Sequence, residues 1–163
     1  MLDKISIEGT DETDSSFLKK WLSDPEALLA FPSTCEKEVD AIVNTWMAYS
    51  KLGLGFTALL HGEPIAMMVL YLCPFETLKH QSEFSIIVNK SYRNNGVGSE
   101  LIDFASCFAK EAAKVEWLYL SVYQGNPAIN LYRRKGFEEF GRQKDWIKHD
   151  GITRDRILMQ RKL

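Results

Sequence analysis

Apolar residues recur along this chain with two different periods, and the points where the period changes divide it into elements. Lys4 to Glu8 alternates as a short strand does. Phe17, Leu18, Trp21 and Leu22 then recur at helical spacing behind Asp14, a residue type suited to an N-cap. Asp24-Pro25 restarts the chain, and Leu28, Leu29 and Phe31 lead to Pro32. Val39, Ile42, Val43, Trp46, Met47 and Tyr49 form a second helical stripe that Gly53 is placed to close. Gly55 to Leu60 and Pro64 to Leu72 read as strands flanking a tight turn at His61-Gly62-Glu63, and Glu83 to Asn89 reads as a third. Gly96 to Lys114 is the clearest helix, with Leu101, Ile102, Ala105, Phe108, Ala109 and Ala112 on one side and Ser99, Asp103, Lys110 and Lys114 on the other. Glu116 to Tyr123 is a strand, and Pro127 to Lys135 a short helix that starts at a proline and stops at Gly136. From Phe137 a strand runs to Asp150-Gly151, which turns it into a last strand over Thr153 to Gln160.

The order is therefore β, α, α, three strands, α, β, α, two strands. Hairpin-linked strands around a single β–α–β crossover predict an α/β (α+β) domain with a mixed, mostly antiparallel sheet and helices on both faces. The 163 residues, 45% of them hydrophobic, suffice for one domain spanning 1–163 without a disulfide or metal staple. The longest apolar run, Ile65 to Cys73, is stopped by Pro74. It is far short of the about 20 residues of a membrane-spanning helix. The opening Met1-Leu-Asp-Lys-Ile-Ser lacks the basic-then-apolar pattern of a secretory segment, so the expected location is cytoplasmic. Cys35, Cys73 and Cys107 are expected to be reduced and mostly buried.

Charge refines the picture. Residues 1–83 carry 13 acids against 6 Lys and Arg, whereas residues 84–163 carry 9 against 14. The acidic half suits a cationic partner and the basic half an anionic one. The net charge of −2 and the lack of a basic–aromatic stripe argue against nucleic acid. No Cys/His spacing suits a metal, and no Ser–His–Asp set is evident.

The basic half contains a turn built for an anion. Val88-Asn89-Lys90-Ser91-Tyr92-Arg93-Asn94-Asn95-Gly96-Val97-Gly98-Ser99 runs from strand into helix. Two glycines free the backbone to present N–H groups, the helix N-terminus adds unpaired donors and a positive partial charge, and Arg93 supplies a charged fork. A flexible strand-to-helix connection is the plain alternative. Two other phosphate sites fail: a dinucleotide fingerprint needs glycine where Leu101 stands, and Gly136 and Gly141 have Walker spacing but are followed by Arg142-Gln143.

Arg93-x-x-Gly96-x-Gly98, after a strand and opening an amphipathic helix, resembles the acetyl-CoA-binding motif of the GCN5-related N-acetyltransferase (GNAT) superfamily. Asn126-Pro127-Ala128-Ile129-Asn130-Leu131-Tyr132-Arg133-Arg134-Lys135-Gly136-Phe137 resembles that superfamily's second segment, in the right order and about thirty residues on. The element order matches across nearly the whole chain, least over residues 1–60. Trp21, Asp24-Pro25-Glu26, Phe31-Pro32, Asp145-Trp146 and Arg154 to Met159 look like the branch that includes ribosomal-protein and other protein N-terminal acetyltransferases.

The resemblance implies residues 1–83 as an acceptor side and 84–163 as an acetyl-CoA side, with a central strand pair that splays at a bulge. Backbone groups of Ile86, Ile87 and Val88 would bond the pantetheine arm, their side chains remaining strand core. Arg93, Asn94, Asn95, Gly96, Val97, Gly98 and Ser99 would hold the pyrophosphate. Asn126 would bond the arm or its phosphate end, or cap the helix after it. Tyr132 would be the general acid that protonates the leaving thiolate, or else an aromatic packed on the sheet. Arg133, Arg134 and Lys135 would meet the 3′-phosphate or form a solvated basic face.

A base must also take a proton from the amine, whose free pKa is about 8 to 10. Glu83, at the start of its strand, is the candidate; an exposed strand-end glutamate is the alternative. Asp24, Glu26 and Glu76 are other acids in acceptor loops, and His80 is another possible base. Tyr49, Trp21, Phe31 and Trp146 are candidate walls, Trp21 and Tyr49 fitting the core better. The leading reading is an acetyl-CoA-dependent N-acetyltransferase acting on a small-molecule or peptide amine by direct attack, as a monomer or homodimer. A non-catalytic acyl-CoA-binding module is the alternative, and the retention of Tyr132 favours the enzyme.

Overall fold

The computed structural model describes residues 5–163, so Lys4 of the expected first strand lies outside the described residues. Strands β1 (Ser6–Gly9), β2 (Gly55–Leu60), β3 (Glu63–Leu72), β4 (Gln81–Val88), β5 (Trp117–Tyr123), β6 (Glu138–His149) and β7 (Ile152–Lys162) form one sheet in the order β1-β2-β3-β4-β5-β7-β6. Every pair is antiparallel except β4 with β5, whose connection carries helix α3 (Val97–Glu111). The other helices are α1 (Ser15–Leu22), α2 (Glu36–Lys51) and α4 (Ala128–Arg134). None is long and apolar enough to cross a membrane.

The two faces of the sheet have separate cores. Leu101, Ile102, Ala105 and Ala109 of α3 and Tyr132 of α4 pack on Phe84, Leu118, Leu120, Val122, Ile157 and Met159. On the other face Leu18, Trp21, Val43, Trp46 and Met47 of α1 and α2 pack on Met67, Val69 and Ile87. Strand residues alternate between faces. The neighbours of the first set, namely Glu83, Tyr119, Tyr123 and Arg156, therefore share the second face, beyond the region over β2 and β3 that α2 covers.

The turns follow the local code. His61-Gly62 and Asp150-Gly151 have φ of 52°, 82°, 49° and 77°, the left-handed pair of a two-residue hairpin. Local signals misled in three places. Asp14 does not cap α1: its carboxylate accepts from Asp11 N at 3.0 Å and from Thr57 Oγ1 at 2.9 Å, and Asp11 caps the 3-10 turn Glu12–Asp14 instead. Helix α3 ends at Glu111, before Ala112, because Lys114 turns left-handed (φ 56°) to enter β5. The cysteines are not buried: Cys35 and Cys107 are exposed and Cys73 is half-buried.

Candidate active site

Strand β4 keeps an unbroken register with β3 from Ser82 to Val88, so it carries no bulge there. Its pairing with β5 stops after Gln81–Trp117, Ser82–Leu118 and Glu83–Tyr119. Beyond Glu83 and Tyr119 the strands diverge, leaving the β4 backbone from Phe84 to Val88 without a partner in β5. A sheet interior cannot leave such groups dry without cost, so the wedge is suited to a ligand that bonds backbone. Ile86, Ile87 and Val88 thus keep their side chains in the two cores while their backbone borders the wedge. The Val88 carbonyl already accepts from Arg93 Nε at 3.2 Å.

The turn into α3 opens at the end of β4. Asn94 (φ 62°) and Gly96 (φ 86°) are both left-handed, the kind of backbone from which anion-binding nests are built. Helix α3 begins at Val97 with no side-chain cap, so its first-turn N–H groups are available. A Cβ on Gly96 would meet nothing within 4 Å, so this glycine answers to backbone conformation. Gly98 answers to packing: a Cβ there would lie 3.2 Å from Leu131 Cδ2 and 3.6 Å from Val88 Cγ2. Asn95 Nδ2 bonds the Arg93 carbonyl at 2.9 Å, and Val97 is buried while Ser99 is half-buried. A wedge flanked by free strand backbone and ending at an uncapped helix N-terminus fits the arm and pyrophosphate of a CoA thioester.

The segment after α1 is tied both to the turn into α3 and to the start of α4. Lys90 Nζ meets Asp24 Oδ2 at 2.7 Å, Arg93 Nη1 meets Glu26 Oε2 at 3.0 Å, and Asn126 Nδ2 donates to the Leu29 carbonyl at 3.0 Å. Lys90 draws the Asp24 carboxyl below its ordinary range, with help from the Glu26 N–H. Asp24 and Glu26 are thereby engaged in ion pairs with Lys90 and Arg93, and Glu76 pairs with Lys79. Asn126 Oδ1 accepts from Ala128 N at 2.9 Å, which is the capping role. Lys135 pairs with Asp103 at 2.6 Å, whereas Arg133 and Arg134 are exposed.

Tyr132 is buried, its ring edge-on to Phe84 at 6.2 Å and to Phe137 at 6.1 Å. Burial pushes its phenol far above the usual tyrosine range; like any tyrosine near neutral pH it is protonated and carries a proton to give. Glu83 is not at the strand end: β4 starts at Gln81, and Glu83 stands at the apex of the wedge with its side chain one third exposed. Burial raises its pKa, and Arg156, whose Nη2 is 3.9 Å away, partly opposes that rise. Tyr71 and Tyr119 stand opposite Glu83 in the two neighbouring strands. Burial raises both phenols first, and the Glu83 charge adds to it.

Nothing in the sequence assigns Tyr71, Tyr119 or Arg156 a role at this apex; Arg156 lies within the Arg154 to Met159 stretch that carried the resemblance, but without a role. Only the alternation Tyr119, Ser121, Tyr123 against Leu118, Leu120, Val122 hints that β5 has a polar face. Trp146 is half exposed and lies under the Arg156 guanidinium, 4.9 Å from ring centroid to Cζ. Trp21 and Phe31 are buried in the α1–α2 core, and Tyr49 packs edge-on to Tyr71 at 5.0 Å. His80 is exposed at the rim of a cavity of about 290 Å³ that Gln81, Trp117, Tyr119, Phe140 and Gln160 also line. No cluster of His, Cys, Asp and Glu among the described residues suits a metal.

A sequence profile of the Acetyltransferase (GNAT) family matches residues 16–137. The L-amino acid N-acetyltransferase AaaT of Escherichia coli K12 is 27% identical over 105 residues, 64% of this chain and 65% of that protein. The matched stretches span only 34% and 65% of the lengths of the two curated relatives. Among solved structures, the ribosomal-protein-alanine N-acetyltransferase of Brucella melitensis superposes with a TM-score of 0.84 at 28% identity, covering 97% of this chain and 99% of that one. The putative acetyltransferase yncA of Salmonella typhimurium, solved with its cofactor acetyl-CoA, shares the fold with a TM-score of 0.84 at 18% identity, covering 99% and 95%.

Proposed function

The chain belongs to the Acetyltransferase (GNAT) family, and on that premise we propose that it transfers the acetyl group of acetyl-CoA to a primary amine, with both substrates bound together. The observation that carries this reading is the divergence of β4 from β5 at Glu83 and Tyr119, with the uncapped start of α3 behind it. When bound, acetyl-CoA supplies an activated acyl group as a thioester.

The backbone of Ile86, Ile87 and Val88 borders the arm. The N–H groups from Asn94 to Ser99 hold the pyrophosphate, and Arg93 adds positive charge at the rim. Asn126 acts by position: it caps α4, which carries Tyr132, and fixes the Leu29 segment beside it. Glu83 accepts the proton that the amine loses, directly or through water. Tyr132 gives a proton to the departing sulfur. Its ring is clamped by Phe84 and Phe137, which holds the hydroxyl in place at little entropic cost. Residues 1–83 form the acceptor side of this single domain and residues 84–163 the donor side. The placement of Glu83 at the apex and of a protonated Tyr132 behind Phe84 supports an enzyme over a silent acyl-CoA-binding module.

The test is incubation with acetyl-CoA and a panel of amino acids, peptides and polyamines, with the acetylated amine identified by mass spectrometry. Acceptor-dependent product is expected. Acetyl-CoA binding by calorimetry with no product from any amine would instead support the binding module.

A further inference from the structure

We infer that the acceptor is an α-amino acid with a free carboxylate, which Arg156 binds while Glu83 faces the amine. The inference rests on the acetyltransferase reading above and narrows its acceptor.

Arg156 stands opposite Tyr123 of β5, and Glu83 stands opposite Tyr119. Four residues of strand, roughly 13 Å, separate those two rows. Yet Arg156 Nη2 is 3.9 Å from Glu83 Oε1. The guanidinium therefore reaches back over β5 to the apex of the wedge. It is held there from below by the Trp146 ring, 4.9 Å from its Cζ, and from one end by Gln143, whose Oε1 accepts from Nη1 at 3.3 Å. Among the described residues its remaining N–H donors have no hydrogen-bond partner.

The Glu83–Arg156 pair is not a closed salt bridge. Charged partners elsewhere in this chain close to hydrogen-bond distance: Lys90–Asp24 at 2.7 Å, Arg93–Glu26 at 3.0 Å and Lys135–Asp103 at 2.6 Å. Glu83 and Arg156 stop at 3.9 Å, although both are largely removed from water, with side chains 32% and 26% exposed. Two opposite charges held side by side, each with unused bonding capacity, match a zwitterion. The fork of Arg156 suits a carboxylate by two parallel hydrogen bonds. The carboxylate of Glu83 suits an ammonium one carbon away from it.

The same pair disfavours the other acceptor classes. A peptide N-terminus presents a neutral amide where the carboxylate would lie, so the bidentate, charge-assisted contact of Arg156 is lost. A polyamine brings a second cation toward the guanidinium. The cavity of about 290 Å³ beside Tyr119 offers room for the amino acid's own side chain. Its lining of His80, Gln81, Trp117, Tyr119, Phe140 and Gln160 includes no Asp, Glu, Lys or Arg, so an uncharged side chain fits it best.

The experiment compares kcat/KM for phenylalanine, methionine and glutamine with that for their amides, for short peptides and for spermidine, at saturating acetyl-CoA. We expect each free acid to exceed its own amide by at least about tenfold, the scale of one charge-assisted contact. Arg156→Gln should erase that preference by raising KM for the free acid, and Arg156→Lys should restore part of it. Amides or peptides that react as well as free acids, or an acid-to-amide ratio that Arg156→Gln leaves unchanged, would overturn the inference. If Arg156→Gln does not fold, the wild-type ratio alone decides. Acetylation of peptides or polyamines without amino acids would remove this inference and leave the acetyltransferase standing. Failure with every amine would remove both.

Discussion

The rings of Phe84 and Tyr132 meet edge-on with centroids 6.2 Å apart, while Glu83, one residue earlier in β4, points to the opposite face of the sheet. Strand alternation thus lets two consecutive residues serve two ends of one reaction. Glu83 looks toward the acceptor, and Phe84 braces the proton donor. The divergence of β4 from β5 begins at that same step, so the wedge opens between them.

Tyr132→Phe removes one hydroxyl and keeps the ring contacts. Among the described residues the phenol has no hydrogen-bond partner, so none is orphaned and the melting temperature should hold. General acid assistance is typically worth about 10²–10⁴-fold, and we expect kcat to fall by at least about tenfold with acetyl-CoA affinity nearly unchanged. Steady-state kinetics beside calorimetry check this; wild-type turnover would remove Tyr132 from the chemistry.

Glu83 should set an acid limb in the pH profile of kcat/KM. Burial raises its pKa, so activity should fall with decreasing pH at values above the ordinary carboxylate range. Glu83→Gln should lower activity and abolish that limb. An unchanged profile in the variant would show that another group is the base.

The same shift has a stability consequence of defined sign. A carboxyl whose folded pKa exceeds its unfolded pKa binds its proton more tightly in the native state, so ionising it costs stability. That cost is present above the raised folded pKa and disappears below the unfolded one. Glu83→Gln should therefore melt higher than wild type near neutral pH, and the gap should close on acidification. Thermal denaturation across pH reads it, and a gap that widens toward acid would contradict the assignment.

Ser99→Glu separates binding from folding at the phosphate turn. Ser99 is the third residue of α3, where a carboxylate favours the free helix through its dipole. The same charge competes with a pyrophosphate for the same N–H groups. Acetyl-CoA affinity should drop at least about tenfold while the melting temperature stays level or rises. Unchanged affinity would sink the placement of the pyrophosphate. Gly98 is a poorer probe, since Leu131 and Val88 crowd it and any side chain there disturbs packing as well.

Much of this architecture is legible because local chemistry and tertiary contacts agree. The His61-Gly62 and Asp150-Gly151 hairpins, the α3 stripe and the Arg93-x-x-Gly96-x-Gly98 turn read directly from the chain. Where they disagree, a distant partner decides. The strand expected from Glu83 starts two residues earlier, because pairing with Trp117 and Leu118 draws Gln81 and Ser82 into β4 and moves Glu83 from a strand end to the wedge apex. Asp14 resembles a cap, yet Thr57, far along the chain, claims its carboxylate. Arg156 lies in a stretch that carried the family resemblance, but its place beside Glu83 shows only in its reach across β5. The bulge that the resemblance implied is absent from β4, because the strands part without it.

The central claim is that the wedge between β4 and β5 is both the donor site and the reaction centre. A crystal structure with a non-reactive thioether analogue of acetyl-CoA tests it most directly. The arm should run along Ile86, Ile87 and Val88, the pyrophosphate should rest on the N–H groups from Asn94 to Ser99, and the sulfur should lie within hydrogen-bond reach of the Tyr132 hydroxyl. An analogue bound elsewhere, or one in the wedge with its sulfur remote from Tyr132 and its acyl carbon remote from Glu83, would contradict the account.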